Sequence, residues 1–192
     1  LKSDKRIGPH AYLQPGIGIA GGNLERDLIN LSASARHQAV NSALVDTVIQ
    51  RNQETFRWAS NQLRKVANLT ERPTVACWGI AYKRDTSATK NSFAVRTIEE
   101  LHDKAKFLVF DPKAQVPEHI KGSATKCDSP EQTLEGACAV IIFHDGQGIG
   151  DIDPIWCKNA IGKRPIIDCL GALIRHKAFF KEHGLRYICR GE

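Results

Sequence analysis

The residues best suited to chemistry lie in a loop of small residues near the start of the chain, between Pro15 and Asp27. Five of the eight residues 15–22 are Gly or Ala, so the backbone can turn sharply there and lie against a flat ligand. Asn23 can donate a hydrogen bond to an oxyanion, and Asp27 can orient a water molecule. The pattern indicates a ligand loop. The alternative is a flexible linker, although linkers favour Ser, Gln and charged residues over the Ile and Leu found here.

Tyr82 and Lys83 form a second candidate site, directly after an apolar run that predicts a buried strand. Ligands bind beyond the carboxyl ends of parallel strands, so a lysine in this turn is placed to meet a phosphate. Tyr82 can flank a base or a sugar ring. A solvated surface lysine and a tyrosine that only packs are the alternatives. The turn has no GxGxxG pattern and so gives no support for dinucleotide binding in this part of the chain.

Three further strand-like runs are followed by a carboxylate, at Asp111, Asp145 and Asp168. A carboxylate at the end of a parallel strand can hydrogen-bond the ribose or the base of a nucleotide. Asp is equally common as a turn residue or a helix N-cap. The residues alone leave both interpretations open.

The elements that would position these residues fall into two parts. Residues 28–68 contain neither Pro nor Gly, and their apolar residues recur mostly every three to five positions, which predicts one or two amphipathic helices. Asn23 or the residues just after it are expected to cap the first helix. Beyond residue 69, short apolar runs predict strands at 74–80, 106–110, 139–143, 165–167 and 185–189. Helices are expected between them, at 92–103, 129–136, 154–159 and 172–183.

Near-continuous apolar strands that alternate with helices predict a parallel sheet covered on both faces. The fold class expected from the sequence is therefore α/β. A long helical linker segment precedes a Rossmann-like parallel sheet with helices on both faces.

Composition excludes several classes of protein. The chain of 192 residues is 42% hydrophobic and has no long apolar run, so it is expected to be globular, with no membrane partner. The net charge of +6 suggests an anionic partner, but the basic residues are scattered among 21 acidic ones, which favours a phosphate-bearing small molecule over nucleic acid.

The six cysteines show no CxxC pair and no metal-ligand spacing. Reduced, mostly buried thiols, no metal and a cytoplasmic location are therefore expected.

The loop resembles the active-site loop of the nucleotide-sugar (UDP-glucose/GDP-mannose) 6-dehydrogenases, which reads P-G-x-G-F-G-G-x-C-x-x-K-D. Asp27 matches the aspartate, Arg26 replaces the lysine and Asn23 occupies the cysteine position. A second family motif, G-L-A-F-K-x-x-T-D-D-x-R-x-S-P, is met by 79–83, Thr86 and Ser92. Further matches follow in order along the chain: the D-P pair at Asp111-Pro112, the v-i-D run at Ile166-Ile167-Asp168, and the closing G-f-x-Y at Gly184-Leu185-Arg186-Tyr187.

The resemblance implies a division into residues 1–68, the active-site loop with a central dimerisation helix, and residues 69–192, a nucleotide-sugar-binding domain. It implies a UDP- or GDP-sugar as substrate, a homodimer joined through the long helix, and NAD bound mainly by an N-terminal domain outside this chain. Asn23 and Asp27 take the catalytic positions, and Lys90 takes the place of an arginine that faces the cofactor phosphates. The implied substrate-binding residues are Arg6, which reaches into the neighbouring subunit's site, Tyr12, Gly16, Gly18, Gly21, Gly22, Tyr82 and Lys83.

Departures from the family pattern concern the chemistry. The family oxidises a sugar C6 hydroxyl to a carboxylate with two NAD molecules, through an aldehyde and a thioester on the cysteine, and an amide such as Asn23 is not a nucleophile. Lys90 keeps the charge of the family arginine but not its fork of donors. The family's D-G-R reads Asp168-Cys169-Leu170 here. Two hypotheses remain: the C-terminal portion of an NAD-dependent nucleotide-sugar dehydrogenase, inactive alone, or a non-catalytic nucleotide-sugar-binding protein.

Overall fold

The computed structural model describes residues 4–8, 11 and 16–191. Its first part is helical, and its second part is a parallel sheet with connecting helices. The helices are α1 Asn23–His37, α2 Ala43–Phe56, α3 Trp58–Val66, α4 Phe93–Glu100, α5 Pro130–Thr133, α6 Pro154–Ile161 and α7 Lys177–Glu182. The strands are β1 Thr74–Trp78, β2 Lys106–Phe110, β3 Ala124–Cys127, β4 Ala137–Ile142, β5 Ile166–Asp168 and β6 Tyr187–Cys189.

The helical part consists of three helices instead of the one or two that the pattern predicts. Ala39 takes a left-handed conformation with φ of 55°, and its N–H donates to the carbonyl of Arg36, which ends α1 in a turn. The chain then reverses, so α1 and α2 lie side by side. Asp46 joins the two helices, because its carboxylate accepts hydrogen bonds from Ser32 of α1 and from Ser42 at 2.8 Å. The sequence predicts one or two helices here and the structure has three, so the predicted number of helices is wrong.

The start of α1 also differs from the prediction. Gly22 occupies the N-cap position and Asn23 is the first helical residue. No side chain caps the first turn, so the prediction that Asn23 or its successors cap the helix is wrong. Glycine at this position leaves the first backbone N–H groups of the helix without a side-chain acceptor.

The six strands form one parallel sheet in the order β3-β2-β1-β4-β5-β6. This confirms the predicted Rossmann-like sheet, and five of its strands match the five apolar runs. The sequence did not reveal β3. This four-residue edge strand reads Ala-Thr-Lys-Cys, so only its two end residues are buried and its two middle residues are polar. The strands β2 and β4 lie on opposite sides of β1, so the strand order reverses direction there. A crevice for a ligand is therefore expected at the carboxyl end of β1.

Both faces of the sheet are covered by helices, as predicted. Val75 and Cys77 of β1 face a cluster that includes Leu63 of α3 and Ile98 of α4. The alternate residues Ala76 and Trp78 face a second cluster, built with α6 and α7 and including Cys157, Ile161 and Phe180. The last helix of the first part thus belongs to the layer that covers the sheet. Among the described residues, no helix is long and apolar enough to cross a membrane.

Candidate functional site

The loop formed by residues 16–22, called the glycine loop below, packs against the rest of the protein. Ile17 is buried in the core cluster beneath the loop. Gly18 has φ of 133°, and a Cβ added there would lie 2.6 Å from Asn52 Oδ1 and 2.7 Å from Phe93 Cζ. Only glycine fits at this position, because both the backbone conformation and the space exclude a side chain. Gly16 is different: it is exposed, and its nearest neighbour would be 4.0 Å from an added Cβ.

The end of the loop forms one wall of an open cleft of about 540 Å³. A Cβ at Gly21, whose φ is 79°, would lie 3.1 Å from the ring of Tyr82. A Cβ at Gly22 would lie 3.3 Å from Cδ and 3.5 Å from Nζ of Lys90. The cleft is lined by the loop end, the first turns of α1 and the segment that follows β1: Gly21, Gly22, Asn23, Glu25, Arg26, Ile29, Asn30, Tyr82, Ala88, Lys90 and Asn91.

The opposite wall of the cleft is the segment that follows β1. A hydrogen bond from the N–H of Tyr82 to the carbonyl of Ala88, 3.0 Å long, closes the turn that carries Lys83. The Lys83 ammonium lies 5.5 Å from the centre of the Tyr82 ring, the ring that Gly21 contacts. Ser92 then starts α4 as its N-cap and accepts a hydrogen bond from the N–H of Ala94. The loop and the Lys83 turn are thus neighbours within one subunit.

A polar network that the sequence did not reveal holds the two walls together. Asn91, with φ of 52°, donates hydrogen bonds to the carbonyl of Gly21 at 2.8 Å and to the carboxylate of Glu25. Arg96 of α4 pairs with Glu25 at 3.0 Å, and its guanidinium lies 3.9 Å from the centre of the Phe56 ring. Half-buried charged hydrogen bonds of this kind are stronger than exposed ones. In the linear sequence Glu25 and Arg96 are ordinary polar positions on helices, and Asn91 is an ordinary polar residue of the turn before α4.

Not all of the predicted site residues come together. Asn23 is exposed and lines the cleft. Asp27 lies one turn further along α1, where its carboxylate pairs with Arg26 at 3.1 Å and is 60% exposed; it does not line the cleft. Arg6 is exposed and pairs with Asp4 at 2.6 Å, and this hydrogen bond raises the pKa of Arg6. Tyr12 lies outside the described residues.

The buried carboxylate Asp111, at the end of β2, has a structural role. Burial acts to raise its pKa, but hydrogen bonds from His144 and from backbone N–H groups outweigh burial and hold the pKa well below its ordinary value. His144 donates from Nε2, since its Nδ1 accepts from the N–H of Gly146. The backbone donors to Asp111 belong to the ends of two strands: Ile80, Ala81, Lys113 and Ala114.

Asp168, the last residue of β5, is also held by hydrogen bonds within the protein. Its two oxygens accept hydrogen bonds from four backbone N–H groups, at residues 170–173, and from the hydroxyl of Tyr187. Burial and the charge of Asp168 raise the pKa of Tyr187. Asp145, after β4, pairs with Arg84 at 3.5 Å. Of the two interpretations of these carboxylates, Asp111 and Asp168 follow the structural one.

The cysteines lie away from the cleft. No disulfide joins any of the six cysteines, all of which lie in the described residues, and five of them are buried: Cys77, Cys127, Cys157, Cys169 and Cys189. None of them lines the cleft. Burial raises the pKa of Cys157 to about 12 and that of Cys169 well above its ordinary value, so these thiols are not reactive at neutral pH. In the part of the chain that the structure describes, no group of His, Cys, Asp and Glu side chains could hold a metal ion.

Comparison with known proteins agrees with this architecture. Residues 76–175 match the model of the UDP-glucose/GDP-mannose dehydrogenase family, UDP binding domain. Residues 1–54 match the model of the central domain of the same family. The two matched regions contain the glycine loop and the Lys83 turn, the two walls of the cleft.

Individual relatives are similar over 57% to 99% of the chain. The chain is 30% identical to YtcA of Bacillus subtilis (strain 168) over 98% of its own length and 43% of that protein. It is 31% identical to the UDP-glucose 6-dehydrogenase of Rickettsia bellii (strain RML369-C), over 57% of its length and 25% of that protein. The structure of a UDP-glucose dehydrogenase from the archaeon Pyrobaculum islandicum superposes with a TM-score of 0.71 at 22% identity, over 99% of this chain and 41% of that one.

The chain thus spans less than half the length of these relatives. Its fold, its ordered motifs and both family models agree on the same assignment. We conclude that this chain belongs to the UDP-glucose/GDP-mannose dehydrogenase family.

Proposed function

We propose that this chain is the C-terminal portion of an NAD-dependent dehydrogenase that oxidises the C6 hydroxyl of a UDP- or GDP-sugar. The observation that carries the proposal is the contact of the glycine loop with Tyr82 beside two unpaired cations. Lys83 and Lys90 have no acidic partner among the described residues. Lys90 reaches into the cleft beside Gly22. An unpaired ammonium next to bare backbone favours an anionic ligand such as a diphosphate.

The N-terminus of α1 adds to this preference. Gly22 and Asn23 line the cleft where the helix starts, and no side chain caps the first turn. Free N–H groups and the positive end of the helix dipole stabilise a negative charge placed there. The ring of Tyr82 provides a flat surface for a sugar or a base.

Each site residue has a proposed role. Lys83 and the glycines at 16, 18, 21 and 22 bind the nucleotide sugar with Tyr82, while Lys90 faces the cofactor phosphates. NAD, held mainly by a further domain of the whole protein, supplies the hydride acceptor. Asn23 donates a hydrogen bond to the oxygen of the reacting group, and Asp27 orients water. Arg6 acts in the site of a partner subunit, and Tyr12 flanks the base or the sugar ring.

A second candidate is a non-catalytic nucleotide-sugar-binding protein, and one observation favours it. The position that holds a nucleophile in the family pattern carries an amide, Asn23, which cannot form a covalent adduct. None of the six cysteines lines the cleft to replace it. The pocket would then bind its ligand without turnover.

We also propose that the protein is a homodimer joined through α1 and α2. Eight large hydrophobic side chains are exposed in the described part of the chain. Six of them lie on α1, on α2 or in the turn between these helices: Leu24, Ile29, Leu31, Val40, Leu44 and Val48. An apolar surface of this extent is typical of a subunit interface.

Two measurements on the whole protein test the function. Calorimetry with UDP-glucose and GDP-mannose measures binding, and absorbance at the NADH band with NAD present measures turnover. Binding with NADH formation supports the dehydrogenase. Binding without NADH for any nucleotide sugar supports the non-catalytic alternative, and the absence of binding contradicts both.

A further inference from the structure

Asn52 of α2 makes an unusual contact with the glycine loop. Its side-chain Oδ1 accepts a hydrogen bond of 2.8 Å from the N–H of Ile19, and its Nδ2 donates a hydrogen bond of 2.9 Å to the carbonyl of the same residue. A carboxamide that pairs with both backbone groups of one residue imitates the pairing between two strands and restricts both distance and direction. Asn52 is only 8% exposed.

The neighbouring loop residues are held just as closely. Gly18 lies against the Asn52 side chain, where an added Cβ would be 2.6 Å from Oδ1. Arg190, after β6, donates a hydrogen bond of 2.6 Å to the carbonyl of Ile17 and another of 3.2 Å to Thr55 of α2. The loop segment 17–19 is therefore fastened at consecutive residues to α2 and to the end of the sheet.

This fastened segment lies only two residues before the wall of the cleft. Ile19 is followed by Ala20 and then by Gly21 and Gly22, which contact Tyr82 and Lys90. Each residue spans at most about 3.6 Å, so the short chain between Ile19 and the two glycines has little slack. A shift of Ile19 therefore also moves Gly21 and Gly22. The position of Ile19 thus determines how closely the loop approaches the ammonium group of Lys90 and the ring of Tyr82.

We propose that Asn52 is a positioning residue of the cleft: by pairing with Ile19 it sets the place of the glycine loop and, through it, the shape of the ligand site. Asn52 does not line the cleft and acts only through the loop. The part of the proposal that concerns ligand affinity rests on the proposed function. The part that concerns the loop does not.

The test replaces Asn52 with Ala in the whole protein and follows amide hydrogen exchange by NMR or mass spectrometry. We expect exchange in residues 17–22 to become about tenfold faster, because two hydrogen bonds are lost. Exchange in strands β1 and β4 should stay as in the wild type. In parallel, calorimetry should show UDP-glucose binding weakened severalfold, since the wall of the cleft is no longer preorganised.

Two further variants make the result decisive. Asn52→Asp keeps an acceptor for the Ile19 N–H but removes the donor to its carbonyl, so a smaller rise in loop exchange is expected; it also serves if Asn52→Ala does not fold. Thr133→Val is the matched control, because Thr133 is a buried polar residue that accepts from Trp78 Nε1 at 2.7 Å under the other face of the sheet. It should lower stability without changing loop exchange or affinity.

The outcomes separate the two proposals. Unchanged loop exchange in both Asn52 variants, or the same loop change in Thr133→Val, would overturn the role of Asn52. If the Asn52 variants show faster loop exchange but bind UDP-glucose as tightly as the wild type, the proposed influence of Asn52 on the ligand site is overturned. If the wild-type protein does not bind UDP-glucose, the proposed substrate is wrong, while the exchange data still decide whether Asn52 positions the loop.

Discussion

Lys90 combines with Tyr82 and the glycine loop to give the cleft its chemical character. A Cβ added at Gly22 would lie only 3.5 Å from the ammonium nitrogen of Lys90, so a side chain at this position would crowd the ammonium group. The neighbouring acidic residue Glu25 is already paired with Arg96 and Asn91. Lys90 therefore has no acidic partner among the described residues, and under the proposed function the small residues of the loop would let its ammonium group and the backbone meet the same anion.

Replacing Lys90 with Ala is expected to weaken the binding of a diphosphate ligand by about tenfold, since a charge-assisted hydrogen bond is lost. The loss should shrink as the salt concentration rises, because screening already weakens the wild-type interaction. Calorimetry of the whole protein with UDP-glucose and with NAD, at two salt concentrations, measures this effect. Lys158→Ala, at an exposed lysine of α6 on the other face of the sheet, is the control. Wild-type affinity of Lys90→Ala for both ligands would exclude Lys90 from the site.

Among the elements, β1 has the greatest influence on the site. It pairs with β2 on one side and with β4 on the other, and the turn with Tyr82 and Lys83 follows it directly. Asp111, after β2, accepts from the N–H groups of Ile80 and Ala81 and from His144 after β4. One buried carboxylate therefore holds together the segments at the ends of three strands, next to the turn that carries Tyr82 and Lys83.

Replacing Asp111 with Asn is expected to lower the free energy of unfolding by about 3 kcal/mol, since backbone donors lose a charged acceptor in a buried site. Because the pKa of Asp111 is lower in the folded protein than in the unfolded chain, its contribution is complete above the unfolded pKa of about 3.9. The contribution is lost as pH falls towards the folded pKa. Denaturant unfolding of both proteins between about pH 7 and pH 2 should therefore show a shallower acid-side decline for the variant.

Asp145→Asn is the control for this experiment. Asp145 also follows a strand, but it is partly exposed and pairs with Arg84 at 3.5 Å. A loss below about 0.5 kcal/mol is expected there. If Asp111→Asn were as stable as this control, the hydrogen bonds at Asp111 would have no net effect on stability.

At the scale of the whole molecule, the hairpin of α1 and α2 carries six of the eight large hydrophobic side chains that are exposed among the described residues. Leu44 is 80% exposed, and Leu31 is 55% exposed. Glu25, on the same α1 helix, is tied to the sheet part through Arg96. If the hairpin is the dimer interface, assembly of the dimer and the shape of the cleft are linked by one helix.

Leu44→Glu is expected to convert a dimer of the protein into a monomer, because it places a charge in an apolar contact. Sedimentation velocity or mass photometry measures the change in mass. Ile155→Glu, at a 58% exposed position of α6 outside the hairpin, should leave the mass unaltered. A wild-type monomer at micromolar concentration, or a dimer that persists in Leu44→Glu, would contradict the proposed interface.

The sequence by itself was sufficient for five of the six strands, because strands buried on both faces need continuous apolar runs, and five such runs are visible. The small residues of the loop, the turn after β1 and the family resemblance made Gly21, Gly22, Asn23, Tyr82 and Lys90 candidate site residues; all five line the cleft, and their roles stay predictions. The prediction failed where local patterns were ambiguous: helix periodicity does not show where a helix ends, and β3 is short and polar in its middle.

Only the tertiary structure decided which polar residues hold the glycine loop in place. Asn52 is 33 positions from Ile19, and Asn91 is 70 positions from Gly21, so no local spacing relates these residues. Asp111 and Asp168 were equally compatible with ligand binding until their partners were known to be backbone N–H groups. A hydrogen bond depends on distance and direction in space, and the fold alone sets these for residues that are distant along the chain.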